Sequence, residues 1–87
     1  MGERVKNIRR PAKKLVLELL LKLDEKNEYS YMELMGYLIR NGVPVSAAEY
    51  YMRFLPLTSA LERIDRGIYR VNKEQIKKML EELNGGH

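Results

Sequence analysis

The stretch Leu61-Glu62-Arg63-Ile64-Asp65-Arg66-Gly67-Ile68-Tyr69-Arg70-Val71 reads as two short β-type runs joined at Arg66-Gly67. Its central Asp65-Arg66-Gly67 has the make-up of a tight hairpin loop, with glycine where the backbone needs a positive φ. In the second run Tyr69 and Val71 fall on one side and Ile68 and Arg70 on the other, the two-residue period of a strand. The first run alternates imperfectly, which leaves room for a bulge or an early twist. Arginines stand at the tip (Arg66) and on both sides of it (Arg63 and Arg70), diluted by Glu62 and Asp65 to a net +1 over residues 61–71.

Helical segments flank this hairpin. Three of them open on a small polar residue followed three positions later by Glu or Gln, the capping-box pattern that satisfies two orphan backbone N–H groups reciprocally. The pairs are Ser30 with Glu33, Ser46 with Glu49, and Asn72 with Gln75. The first pair predicts a helix over about 31–41 that buries Leu34, Met35, Leu38 and Ile39 and stops at Gly42, a left-handed C′ residue. Pro44 then keeps helix from continuing through the turn. The second pair predicts a helix over about 47–55, short because Pro56 disfavours helical geometry at the residue before it. Ala48, Tyr51, Met52 and Leu55 share its inner face, Glu49, Tyr50 and Arg53 point the other way, and Ala47 and Phe54 sit at the border. The third pair predicts a helix with Ile76, Met79, Leu80 and Leu83 on one stripe, ending at Asn84-Gly85.

Ahead of these, Pro11 suits a first helical position, where its missing N–H costs nothing, and the helix it opens runs to about Lys26. Ala12, Val16, Leu19, Leu20 and Leu23 form one apolar face of that helix. Leu17 and Leu21 fall outside this face, and they either meet the last helix or form a two-fold subunit contact that would make the protein a homodimer. A short strand near Glu28-Tyr29 is expected to pair with the hairpin.

Eighty-seven residues make one small domain, expected over 11–84, with 1–10 as a basic N-terminal arm and 85–87 as a flexible C-terminus. Cysteine is absent and the only histidine, His87, is the last residue. A disulfide framework and a thiolate zinc site are thereby excluded, and no cofactor or metal is expected. The longest apolar stretch, Leu15 to Leu23, is interrupted by Glu18 and Lys22 and falls short of the roughly 20 residues that cross a bilayer. No signal-peptide pattern opens the chain, so the expected location is cytoplasmic and no membrane partner is expected. High Lys, Arg and Glu with a single Gln resembles the composition of heat-adapted, thermostable proteins.

The net charge of +4 is unevenly spread. Residues 1–14 carry Arg4, Lys6, Arg9, Arg10, Lys13 and Lys14 against Glu3, a local +5, which leaves −1 for the remainder. Such a segment is either a solvated tail or an arm that neutralises phosphates.

The order is therefore mainly α with a small β-hairpin: helix, helix, turn, helix, hairpin, helix. From Ser30 to Val71 the chain resembles the winged helix-turn-helix superfamily of DNA-binding proteins, many of them small archaeal, plasmid or viral transcriptional regulators. The phrase Leu61-Glu62-Arg63 followed by Arg66-Gly67-Ile68-Tyr69-Arg70-Val71 is similar to the hairpins of such regulators, antitoxin-type repressors included. The resemblance implies double-stranded DNA as partner, with helix 46–55 in the major groove and Ser46, Ala47, Tyr50 and Arg53 as its reading face. Ser46 is either a cap or a reader. Arg53 is the base-reading candidate, because a guanidinium can pair bidentately with guanine. Arg63, Arg66 and Arg70 of the wing, with Arg4, Lys6, Arg9 and Arg10 of the arm, are expected to grip phosphates.

One feature departs from the family's habit. The reading helix offers one Arg, one Glu and outward aromatics, where Arg, Lys, Asn and Gln are commoner. Tyr50 and Phe54 therefore also fit a protein interface, the alternative function, while Phe54 alone could simply pack under the wing. An enzyme is not expected. There is no GxxxxGK phosphate loop, no internal histidine base, no cysteine nucleophile and no metal-ligand spacing.

Overall fold

The computed structural model describes the backbone of residues 2–85 and the side chains from Ala12 to Gly85. Helix α1 spans Gly2–Leu21, strand β1 Tyr29–Ser30, α2 Tyr31–Arg40, α3 Val45–Thr58, β2 Leu61–Asp65, β3 Ile68–Val71 and α4 Lys73–Gly85. The three strands form one antiparallel sheet in the order β1-β3-β2. This is a winged-helix architecture: a helix bundle in which α2, a tight turn and α3 are followed by a hairpin wing.

Helix α1 starts well before the expected Pro11 and ends before the expected Lys26. Glu, Arg and Lys upstream of Pro11 are good helix formers, and the helix continues across the proline although it removes one hydrogen bond and crowds the carbonyl four residues earlier. Residues 2–10 of the basic segment thus belong to the first helix. At the other end Lys22 and Leu23 donate to the carbonyls of Leu19 and Leu20 at 3.2 and 3.1 Å, a tightened last turn. Asp24 then breaks the helix by bonding locally. Its Oδ1 accepts the Lys26 N–H at 2.9 Å, and its own N–H reaches the Tyr29 hydroxyl at 3.1 Å.

Helix α2 begins with the full capping box: Glu33 N–H donates to Ser30 Oγ at 3.0 Å, and Ser30 N–H to Glu33 Oε1 at 2.8 Å. It ends in a Schellman motif. Gly42, at φ 102°, donates to Ile39, and Val43 donates to Leu38 at 3.0 Å. Val43 and Leu38 are both buried, the apolar contact that accompanies this stop. Ile39, expected inside, is exposed; Leu34 and Leu38 alone of α2 are fully buried.

Helix α3 departs from expectation at both ends. Pro44 is its N-cap, with no side-chain cap, and the Pro44 carbonyl accepts the Ala48 N–H at 2.9 Å. Ser46 lies inside the first turn, so the Ser46–Glu49 capping box does not form. The helix also runs through Pro56 to Thr58. A proline in the last turn removes one bond only, and burial of Leu55 holds the preceding residue in helical geometry. Ser59, at φ 72°, ends it. Asn72 caps α4 by accepting the Gln75 N–H at 3.2 Å, but its own N–H donates to the Ala60 carbonyl at 2.9 Å, so only one half of the expected capping box forms.

The hairpin turns on Arg66-Gly67, with Gly67 at φ 70°. Glu62 pairs with Arg70, Arg63 with Tyr69 and Asp65 with Ile68, so a bulge falls at Ile64. Tyr29 and Ser30 pair with Tyr69 and Ile68.

The core gathers Val16, Leu17 and Leu20 of α1, Leu34 and Leu38 of α2, Ala48, Met52 and Leu55 of α3, Leu61 and Val71 of the hairpin, and Ile76, Met79 and Leu80 of α4. Leu83, expected on the same stripe, is exposed. Leu17 is completely buried within this chain and Leu21 packs half-buried against the core, where α1 meets α4. For Leu17 the burial supports the intramolecular one of the two expected roles. Leu17→Ala is expected to destabilise the fold by about 2–5 kcal/mol, the range for emptying a buried leucine site. Denaturant unfolding checks it, with a midpoint that does not move with protein concentration.

Candidate nucleic-acid interface

Helix α3 is held by its inner face, where Ala48, Met52 and Leu55 are buried, and this presents the opposite side outward. Ser46, Tyr50, Arg53 and Leu57, spaced by four, three and four residues, form one exposed stripe. Tyr50 is 51% exposed and Leu57 83%. Glu49 is exposed beside them, and Ala47 is half-buried. Among the described residues the Ser46 hydroxyl makes no capping hydrogen bond.

An aromatic cluster borders the stripe. Tyr50 and Phe54 stack with centroids 5.7 Å apart and planes 12° from parallel. Tyr51 meets both edge-on, at 4.9 and 6.2 Å. Phe54 is half-buried and belongs to the rim of the core, while the Lys13 ammonium of α1 lies 5.9 Å from its ring centroid. Between the two helices Ala12, Ser46, Ala47, Tyr50 and Tyr51 line an open cleft of about 470 Å³. The outward face of α3 thus lies beside α1 at Ala12 and Lys13, near the end of the basic segment 1–14. Arg4, Lys6, Arg9 and Arg10 are carried on the first turns of α1, and their side chains lie outside the described residues.

On the wing, Arg63 and Arg66 are exposed, and the Asp65 carboxylate turns back to accept the Arg66 N–H at 2.7 Å. Arg70 is different. Its Nη2 donates to Glu28 Oε2 at 3.1 Å, and its buried Nε has no partner. Arg70 therefore ties the wing to the segment before β1, while its side chain stays 37% exposed. Among the described residues, Arg53, Arg63 and Arg66 have no carboxylate within ion-pair distance.

The stripe also contains what the sequence reasoning missed. Leu57 follows Tyr50 by seven residues and escaped notice because the helix was expected to stop at Leu55. Lys13 was counted as charge only, without its place against Phe54. Among the described residues no group of three His, Cys, Asp or Glu could hold a metal ion, and no helix is long and apolar enough to cross a membrane. Comparison with protein-family models, with curated proteins and with solved structures finds no match to this chain.

Two phenols are perturbed. Burial, and then the neighbouring Tyr50, push the Tyr51 hydroxyl above its ordinary pKa. Burial, and then Tyr29, do the same for Tyr37, whose hydroxyl donates to the Leu19 carbonyl at 2.6 Å. Below about pH 10 both phenols are neutral in the folded and unfolded chains alike. Above it the unfolded chain ionises first, so stability is lost as pH rises through the folded pKa values. Denaturant unfolding at a series of alkaline pH values is expected to show this decline, and Tyr51→Phe should make it shallower.

Proposed function

We propose that this chain is a non-catalytic, cytoplasmic DNA-binding protein and that it acts as a transcriptional regulator by occupying or marking a site on duplex DNA. The observation that carries the proposal is the exposed stripe Ser46, Tyr50 and Arg53 on the second helix of a helix-turn-helix, placed beside α1 near the end of its basic segment. In this arrangement α3 enters the major groove and Arg53 addresses a base edge. Arg63 and Arg66 of the wing, with the cations of α1, meet phosphates, which position the protein without reading sequence. Two copies addressing half-sites about one DNA turn apart would gain affinity.

A specific observation favours a second function, docking of a partner protein. The outer side of α3 has one Glu and one Arg, while Val45, Tyr50 and Leu57 are exposed on it. Exposed aromatic and aliphatic groups on a nearly neutral surface also suit an interface whose energy comes from a few anchors.

Salt separates the two. Neutralising about 4 to 6 phosphates gives a log–log slope of affinity against salt of roughly −4 to −5 per protomer. Filter or fluorescence titrations of duplex DNA are expected to show that slope; an affinity flat from low to moderate salt would move the function to protein docking. Selection from a random duplex pool then tests the roles of the arginines. Arg66→Ala is expected to weaken binding to every sequence alike, whereas Arg53→Ala relaxes preference at one base position at a cost of about 1–3 kcal/mol. Uniform loss with Arg53→Ala would remove it from the reading face.

A further inference from the structure

We propose that the wing is a minor-groove wedge, with Ile64 inserted at a base-pair step and Arg63 and Arg66 holding the phosphates beside it. The proposal deepens the DNA-binding function above and rests on it. Strand β2 lies at the edge of the sheet, and its pairing with β3 slips between Arg63 and Asp65, which leaves Ile64 without a cross-strand partner. Bulges of this kind re-aim the side chain they carry. Ile64 is 42% exposed and stands apart from the apolar cluster that Leu61, Tyr69 and Val71 of the same hairpin join.

The surroundings of Ile64 suit a duplex. The flanking cations, Arg63 and Arg66, are exposed and have no ion-pair partner among the described residues. The one anion at the tip, Asp65, is turned into its own loop by the 2.7 Å bond from the Arg66 N–H. Gly67 has no atom within 4 Å of where a Cβ would stand, so that side of the turn is open to close approach. Behind the tip the hairpin is braced, by the Tyr31 N–H on the Gly67 carbonyl at 2.9 Å and by the Arg70–Glu28 pair. An apolar side chain between cations on a braced support is the arrangement that unstacks a step and bends a duplex. Pyrimidine–purine steps yield most easily, so the wedge also confers preference at a position that makes no hydrogen bond.

The test uses the full chain and an AT-rich duplex of about 30 base pairs with a central TA step, much shorter than the persistence length of about 150 base pairs. Dyes at the two ends report bending by energy transfer. The wild type is expected to bend the duplex by roughly 20–90°, and Ile64→Ala and Ile64→Thr to bend it less than half as far and bind it several-fold more weakly. A mismatch at the central step, which lowers the cost of unstacking, is expected to restore much of the lost binding. Since Ile64 lies outside the core and Thr keeps the β-branch, both variants are expected to melt with the wild type. If the wild type binds without bending, or the variants bend as far as it does, the wedge is overturned and DNA binding stands. If the wild type does not bind duplex DNA at all, both are overturned.

Discussion

Everything in this fold converges on Ser30. Its backbone pairs with Ile68, its N–H is taken by the Glu33 carboxylate, and its hydroxyl receives the Glu33 N–H. One residue on, the Tyr31 N–H continues the ladder to Gly67. A strand of two residues is too short to be stable alone, and a helix of ten residues is marginal in isolation. Joined through Ser30, each supplies the other with the partners it lacks. The joint fixes α2 against the wing, α2 fixes α3 through the Schellman turn, and so the outward face of α3 acquires a set position relative to the arginines of the hairpin. Losing the Ser30 hydroxyl would loosen the geometry of the whole surface, not one helix end.

The fold was largely legible in the sequence because its signals are local. Ser30-x-x-Glu33, Gly42 and Asp65-Arg66-Gly67 each describe a few consecutive residues and lie where expected, and Asn72 caps its helix through one half of the expected box. What failed depended on competition between neighbours. Ser46 looked like a cap, but Pro44 two residues earlier starts the helix first and leaves Ser46 exposed. Pro11 and Pro56 looked like boundaries, yet a proline costs one hydrogen bond and some crowding of the preceding turn, and favourable neighbours or burial of Leu55 outweigh that cost. Leu17 looked surplus on a helical wheel because a wheel shows one stripe, whereas α1 is covered from two directions, by the α2–α3 side and by α4. At the candidate site, exposure of Tyr50 and Arg53 followed from helical period alone. The diversion of Arg70 to Glu28 could not be seen, since those residues lie far apart in the chain and meet only across the sheet.

The division of labour on the surface follows from the same geometry. The outer stripe of α3 is close to neutral, with Arg53 as its one cation, and the other cations of the proposed interface stand on other elements, on α1 and at the wing. In the proposed function long-range attraction and close fit are thereby separated: charge acts over about a Debye length, while Tyr50, Leu57 and the Ser46 hydroxyl would act only in contact. Inward, α3 is anchored by Ala48, Met52 and Leu55 with Ala47, Tyr51 and Phe54 packed partly buried beside them, so substitution at the exposed Ser46, Arg53 and Leu57 is expected to have little effect on the core.

Strand β2 has a second significance as the open side of a sheet. An unpaired row of N–H and C=O groups invites another chain to add a strand, the first step towards edge-to-edge aggregation. Here β1 is too short to template anything, and β2 is interrupted at Ile64 and carries Glu62, Arg63 and Asp65 at its exposed positions. A second β2 approaching in register would meet a kinked backbone and like charges. The irregularity that shapes the wing therefore also makes this edge a poor template for an added strand.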